Sequence, residues 1–160
     1  MLPLVLVPQP ILRQVAKPVE LPITEEVQRL GRDMIEAMVH YHGIGLAAPQ
    51  VNQGVRLIVI ATVSGPTVCV NPEIVKSSWR KVNFEEGCLS IPNVFGLVRR
   101  PERVLVHYCN LQGEEREEWL VELAARVYQH EVDHLNGVLF VDRASKITAG
   151  RELLKDYGLV

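Results

Sequence analysis

Apolar residues recur at helical spacing near the start of the chain. Four of them follow one another at intervals of three or four residues, so they lie on one face of a helix. They are Val27, Leu30, Met34 and Met38. Thr24 precedes this set as a suitable N-cap, and Gly43 follows it as a helix breaker. The pattern predicts a helix that begins after Thr24, ends near Tyr41 and buries one face.

Segments rich in Val and Ile then predict a series of strands. The three clearest are 56–63, 67–75 and 103–109. Gly113 suits a hairpin turn, so a further short strand is expected to end near Val121.

Two terminal segments complete the predicted elements. The apolar stretch 1–7 lacks a preceding basic region and is interpreted as an early strand rather than a secretory signal. The segment 145–157 is expected to form a short helix.

A second helix is predicted from about Val121 to Asn136, with Gly137 as its C-terminal stop. Four residues at offsets of four, three and four form one stripe on it. They are Leu123, Val127, His130 and His134. The order helix, strands, helix shows no βαβ alternation. It predicts one domain, 1–160, of the α+β class, with antiparallel or mixed sheets packed around the second helix.

Composition narrows the functional classes. The 17 basic and 19 acidic residues give a net charge of −2, so nucleic-acid binding is not expected from the overall charge. No apolar run approaches the roughly 20 residues of a membrane helix. The odd number of cysteines, three, argues against a disulfide framework and therefore favours a reducing compartment. Trp79 and Trp119 are expected to pack inside the protein.

The strongest chemical signal is the segment from His130 to His134. On a helix, two His four residues apart can bind one metal ion, and Glu131 lies beside them to act on water. A catalytic site of this kind needs a third ligand. Cys88 follows a Gly in loop-like backbone and is a candidate, whereas Cys69 is expected in the core.

Two alternative functions stay open at this point. His-Glu-x-x-His also serves metallopeptidases, but only 26 residues follow His134, and they include no further His. A structural metal domain would usually have four ligands, mostly Cys. Glu86 and Asp133 are candidates to orient the ligands.

Three separated segments resemble the peptide deformylase family. They run, in the family's order, from Gly43 to Gln50, from Glu86 to Ser90 and from Gln129 to His134. The resemblance spans nearly the whole chain. It implies removal of the formyl group from the N-terminal formyl-methionine of new polypeptides. It also implies Fe2+ as the metal in the cell, with zinc, nickel or cobalt able to replace it.

The same resemblance implies residue roles. Cys88, His130 and His134 would be the metal ligands and Glu131 the acid/base, while Gln50 and the Leu89 N–H would form the oxyanion site. A formyl peptide is expected to pair with Ile44, Gly45 and Leu89, and its methionine to contact Leu123 and Val127.

The resemblance also carries expectations about partners and location. The substrates would be nascent chains near the ribosome, with no direct contact to nucleic acid or membrane. The protein is expected to be a monomer of the bacterial cytoplasm, with an organelle as the other option. Asn52, Phe95 and Arg126 depart from the family's usual residues, so they are expected to affect substrate and inhibitor preference.

Overall fold

The chain folds into two antiparallel sheets packed around a buried helix. The computed structural model describes residues 1–160. The helices are α1 (Glu25–His40), α2 (Glu122–Leu135) and α3 (Phe140–Arg143), with 3₁₀ turns at Pro10–Arg13, Ala48–Val51 and Arg151–Leu153. The strands are β1 (Gly45–Ala47), β2 (Leu57–Thr62), β3 (Gly65–Ser77), β4 (Lys81–Cys88), β5 (Ile91–Pro101), β6 (Arg103–Cys109), β7 (Glu115–Val121) and β8 (Lys146–Ala149). No helix has the length and apolar character needed to cross a membrane.

The two sheets differ in size. The larger has the order β1-β2-β3-β6-β7, and the smaller has the order β4-β5-β8. All of their strand pairs are antiparallel. Strands β1 and β4 therefore each lie at the edge of a sheet, with one side of the backbone unpaired.

Helix α2 lies at the centre of the molecule. Every residue from Ala125 to Leu135 is buried. Tyr128 and Val132 join side chains of β2 and β6 in the largest apolar cluster. Below the helix, Phe140 of α3 belongs to a separate cluster with the smaller sheet and stacks 6.2 Å from the ring of His130. The α+β class with antiparallel sheets around the His-Glu-x-x-His helix is thereby confirmed.

The predicted elements with clear periodicity are also present. The Thr24 side chain accepts a hydrogen bond from the Val27 N–H at 3.3 Å and caps α1. Gly113 forms the turn between β6 and β7 with φ of +82°. Burying Met34 and Met38 on α1 fixes this helix against the larger sheet.

The predictions for both termini were wrong. Residues 1–7 form no strand, although Val5 and Val7 donate backbone hydrogen bonds to Gln50 and Ser90. The segment 145–157 contains β8 and a 3₁₀ turn in place of a helix. In both segments, long-range backbone pairing overrides the local pattern.

The smaller sheet was not foreseen, and two further expectations fail with it. Cys88 ends strand β4 next to a β-bulge and does not lie in a loop. Trp79 and Trp119 do not pack in the core, because both are exposed. Charged residues interrupt the apolar pattern of β4 and β5, which hides these strands in the sequence.

A pair of glycine variants tests the packing of the chain after α2. Gly137 and Gly113 both have positive φ, but a Cβ at Gly137 would overlap the Arg13 carbonyl, whereas Gly113 faces open space. We expect Gly113→Ala to lower the free energy of unfolding by about 1–2 kcal/mol, because its backbone is left-handed. Gly137→Ala should cost a further ~1–3 kcal/mol through overpacking. Urea unfolding of both variants measures the difference, and equal losses would contradict the steric assignment.

Candidate metal centre and active site

Three possible ligand atoms converge where β4 meets α2. The Cys88 thiol at the end of β4 faces His130 and His134, which lie one turn apart on α2. All three ligand atoms lie within 4.8 Å of one another, and the Cys88 Sγ is 3.3 Å from the His134 Nε2. The structure thus brings together the three residues that the sequence predicted as ligands.

The donor set fits a divalent metal ion. Ligand atoms that share one tetrahedral ion are separated by roughly 3–4 Å, given metal–ligand bonds of about 2.0–2.3 Å. A thiolate with two imidazoles suits a soft or borderline metal. Although burial acts to lower the pKa of His130, contacts with Cys88 and Glu86 raise it overall. The surroundings therefore favour positive charge at this point, as a metal ion would supply.

Glu86 sets the orientation of His130. Its Oε1 lies 2.9 Å from the Nδ1 of His130, which leaves the Nε2 free to face Cys88. Burial opposes ionisation of Glu86, but hydrogen bonds from His130 and Arg100 hold its pKa far below the usual range. A carboxylate that fixes the tautomer of a metal-binding His is a common feature of metal sites.

Glu86 belongs to a buried charge network that also includes Asp133. The Arg100 Nε donates to the Glu86 Oε2 at 2.7 Å, and its Nη1 donates to Asp133 at 2.9 Å. Arg126 donates to the same Glu86 oxygen at 2.7 Å, and Arg143 donates to Asp133 at 2.6 Å. Asp133 therefore holds Arg100, which in turn binds Glu86, so Asp133 acts on the ligands only through this network.

Glu131 has the opposite environment. It is 5% exposed, and its Oε2 has no hydrogen-bond partner. Burial raises the pKa of this carboxyl to about 7. Gly45 of β1 lies directly against it, since a Cβ there would be 2.5 Å from the Glu131 Oε1. The carboxyl is therefore held in place beside His130, with a pKa suited to proton transfer near neutral pH.

Gln50 and Leu89 line the same cleft as Cys88 and His130. The Gln50 Oε1 accepts the Ala47 N–H at 2.9 Å, which fixes the amide. Its Nε2 then points to the Ser90 Oγ at 3.1 Å and the Cys88 Sγ at 3.5 Å. The Leu89 N–H takes part in no backbone hydrogen bond.

A cleft of about 540 Å³ leads to these groups. It runs between the unpaired edges of β1 and β4 and is lined by every residue predicted to bind substrate. These are Ile44, Gly45, Leu89, Leu123 and Val127. Val127 is buried as its place in the α2 stripe predicted, but Leu123 is 54% exposed because α2 has only just begun there. The apolar stripe therefore starts at Val127, and Leu123 forms part of the cleft wall.

The comparison with known proteins decides the family. A family model described as polypeptide deformylase matches residues 1–149. The chain belongs to this family. A peptide deformylase from Bartonella henselae is 46% identical over 152 residues, covering 92% of this chain and 86% of the relative. One from Thermotoga neapolitana is 49% identical over 134 residues, covering 84% and 81%.

Solved structures give the same result. The crystal structure of peptide deformylase from Thermotoga maritima matches with a TM-score of 0.88 and 45% identity, covering 91% of this chain and 99% of that one. The enzyme from Synechococcus elongatus in complex with actinonin matches with a TM-score of 0.89 and 42% identity, covering 99% of this chain and 87% of that one. A Met-Ala-Ser-bound enzyme from Acinetobacter baumannii matches with a TM-score of 0.84 and 39% identity, covering 89% of this chain and 98% of that one. Like these relatives, the chain is a hydrolase of the peptide deformylase family.

The three departures from the family's usual residues have distinct positions. Asn52 takes a left-handed conformation with φ of +62°, which Asn tolerates better than most residues. Phe95 packs on Gly87 at the cleft wall. The Arg126 guanidinium turns towards Glu86 and the Val82 carbonyl, so Arg126 joins the charge network as well as lining the cleft.

Sequence reasoning missed Arg100. Its side chain is almost fully buried and contacts both Glu86 and Asp133. Two-residue alternation could have found it, because Val94 and Val98 of the same strand also face inward. The positive charge of Arg100 hides this alternation.

A neutral substitution tests the part played by Glu86. Glu86→Gln keeps the shape but leaves Arg100 and Arg126 without their shared anion and weakens the hold on His130. We expect the affinity for Co2+ to fall roughly 10- to 100-fold. Titration followed by visible absorption measures it, with Glu85→Gln as control because the Glu85 side chain accepts a hydrogen bond from the exposed Thr148 hydroxyl and has none with the ligands or with the arginines. Equal Co2+ affinities of Glu86→Gln and the unsubstituted protein would show that the Glu86 carboxylate is not required to orient His130 as a ligand.

Proposed function

We propose that this enzyme removes the formyl group from the N-terminal formyl-methionine of newly synthesised polypeptides. The observation that carries the proposal is the position of Glu131. It is a buried carboxyl with a pKa raised to about 7, next to a Cys-His-His cluster at the floor of a cleft of peptide dimensions. Hydrolysis of an amide needs such a group to move a proton from water to the leaving amine.

Cys88, His130 and His134 would hold one divalent ion. When bound, that ion would supply Lewis-acid chemistry by polarising the formyl oxygen and increasing the acidity of water. One thiolate and two imidazoles suit Fe2+, Zn2+, Ni2+ and Co2+ alike. Fe2+ is proposed as the ion in the cell because the sequence resembles the family, and the other three are proposed as replacements.

Glu131 performs the proton transfers. It accepts a proton as water attacks the formyl carbon, and it returns that proton to the amine nitrogen as the C–N bond breaks. The close approach of Gly45 restricts movement of the carboxyl, and its Oε2 has no hydrogen bond within the protein to compete with the proton transfers. Acid/base help of this kind is worth about 10²- to 10⁴-fold in rate.

Gln50 and Leu89 stabilise the charge that develops on the formyl oxygen. The Gln50 amide is held by the Ala47 N–H, and its Nε2 would turn one hydrogen from the Ser90 Oγ or the Cys88 Sγ to the formyl oxygen. The Leu89 N–H has no competing backbone acceptor. Loss of one such donor typically lowers the rate roughly 10²- to 10³-fold.

The peptide binds as a strand between the two unpaired edges. Ile44 and Gly45 line one side of the cleft and Leu89 the other, so the main chain of the substrate can pair with both. Leu123 and Val127 form an apolar wall for the methionine side chain. The relative from Acinetobacter baumannii bound to Met-Ala-Ser supports a peptide of this chemistry as the ligand. We further propose that the enzyme acts as a monomer, in the bacterial cytoplasm, on nascent chains near the ribosome.

The decisive experiment is hydrolysis of formyl-Met-Ala-Ser. Anaerobically iron-loaded and nickel-loaded proteins should release formate from this peptide and leave acetyl-Met-Ala-Ser almost untouched. The Glu131→Ala variant should retain its metal and lose at least about 10²-fold in kcat. No release of formate by a protein shown to contain metal would reject the function, and full activity of Glu131→Ala would reject the acid/base role.

A second glycine pair tests the placement of Glu131. Gly45→Ala would press a methyl group against the Glu131 carboxyl and Val127, whereas Gly54→Ala meets nothing within 4 Å. We expect Gly45→Ala to lower kcat by about 10-fold or more, since small displacements of a catalytic group are costly, and Gly54→Ala to change it little. Formate release under saturating substrate measures both. An unchanged kcat in Gly45→Ala would mean that Glu131 is free to move.

A further inference from the structure

A second cavity lies beside the cleft. It has a volume of about 280 Å³, and three side chains line both spaces. They are Phe84 of β4 together with Leu123 and Arg126 of α2. Phe84 is 55% exposed and Leu123 is 54% exposed, whereas Arg126 is only 8% exposed. The wall where the methionine side chain is proposed to lie is therefore apolar at its rim and carries a buried guanidinium.

Arg126 lies on the face of α2 that borders the cleft. It is three residues after Leu123 and four before His130 on the same helix, so these side chains share one face. Val127, the next residue, belongs to the cleft wall as well. The Arg126 guanidinium lies 5.6 Å from the centre of the Phe84 ring. A substrate side chain placed against Leu123 and Val127 would therefore end close to Arg126.

The protein uses only part of the hydrogen-bonding capacity of Arg126. Its Nη1 donates to the Glu86 Oε2 at 2.7 Å and to the Val98 carbonyl at 2.9 Å. Its Nη2 donates to the Val82 carbonyl at 2.6 Å. A guanidinium carries more N–H groups than these contacts use, and the Nε–H has no partner in the protein. The Nε keeps contact with solvent, so this N–H is open to the cavity space.

The charges around Arg126 favour a neutral acceptor over an anion. Glu86 already forms an ion pair with the guanidinium. Glu102 and Glu122 also line the second cavity, where Glu102 lies 3.8 Å from Arg80 and Glu122 forms no ion pair. A carboxylate at the tip of a substrate side chain would meet this negative charge, whereas a neutral oxygen would meet an unused donor.

We propose that Arg126 determines specificity by allowing the enzyme to accept formylated methionine sulfoxide as well as formyl-methionine at the start of a peptide. The inference rests on the proposed function and names a further substrate of the same site. Oxidation adds one oxygen to the methionine sulfur and makes the side chain polar. The oxidised side chain takes the same path past Leu123 and Val127, and its oxygen accepts a hydrogen bond from the Arg126 Nε–H. An apolar residue at position 126 would leave this oxygen buried without a partner, which is unfavourable.

The same donor is compatible with unmodified methionine. The thioether sulfur is a weak acceptor, and it makes favourable contacts with an aromatic ring such as that of Phe84. The second cavity has room for a water molecule to accept the Arg126 Nε–H when methionine is bound. Arg126 therefore widens the range of first residues without excluding the principal one.

Paired substrates test the inference. The kcat/KM of the nickel-loaded protein is measured for formyl-Met-Ala-Ser and for its sulfoxide, and the ratio of the sulfoxide value to the methionine value cancels effects of a variant on the metal site. We expect this ratio to lie within about fivefold of unity, whereas a polar group left unpaired would lower it roughly 5- to 150-fold. Arg126→Leu should lower the ratio by roughly that factor, and Arg126→Lys should recover part of it by restoring a donor.

Arg143→Leu is the matched control. Its guanidinium belongs to the same charge network through Asp133 but does not line the cleft, so the ratio should stay unchanged. An equal ratio in Arg126→Leu and in the unsubstituted protein would overturn the inference. So would a ratio below about one-fifth in the unsubstituted protein, a result that does not depend on the folding of any variant. Circular dichroism confirms the folding of each variant.

Binding of the product peptides separates this inference from the proposed function. Calorimetric titration of the nickel-loaded protein with Met-Ala-Ser and with its sulfoxide repeats the comparison without turnover. Similar affinities for both products, reduced for the sulfoxide alone by Arg126→Leu, would uphold the role of Arg126 even in a protein that releases no formate. Release of formate from the methionine peptide with rejection of both sulfoxide peptides would uphold the proposed function and overturn the role of Arg126.

Discussion

The site depends on a single buried carboxylate. Glu86 of β4 is shared by Arg100 from β5, by Arg126 from α2 and by the imidazole of His130. Burying an ion without partners is costly, and removing one member of a buried cluster leaves the rest uncompensated. The contacts that orient His130 are therefore the same ones that hold the smaller sheet against α2. Folding and assembly of the site are consequently one process.

Glu86 and Glu131 show how one residue type takes two roles. Both carboxyls are buried beside His130. Glu86 is surrounded by cations and stays ionised, whereas Glu131 lies against Gly45 and Val127, with burial raising its pKa to about 7. The environment separates the two ionisation equilibria, so one group supports the ligand and the other is able to exchange protons. Glycine at position 45 is needed because any side chain there would occupy the space of the Glu131 carboxyl.

The sequence predicted the parts of the fold that have a visible period. The α1 face and the α2 stripe follow from apolar spacing, and four strands of the larger sheet follow from Val- and Ile-rich segments and the turn at Gly113, whereas the short β1 was not predicted. The ligand cluster follows from two His on α2 together with the resemblance at Cys88. The smaller sheet was missed because its inward positions include Glu86 and Arg100, whose charges are neutralised only across the tertiary fold. The exposure of Trp79 could not be predicted either, because a large apolar side chain such as Trp is expected to pack inside the protein.

The ligand cluster lies at a joint between two parts of the fold. Cys88 belongs to the smaller sheet, whereas His130 and His134 belong to a helix packed on the larger one. An ion held by all three would thus act as a cross-link between segments separated by more than 40 residues. Any ion that binds only the folded chain adds RT ln(1 + [M]/Kd) to its stability. Starvation for the metal would then reduce not only turnover but also the lifetime of the protein against proteolysis, linking its abundance to the supply of its own cofactor.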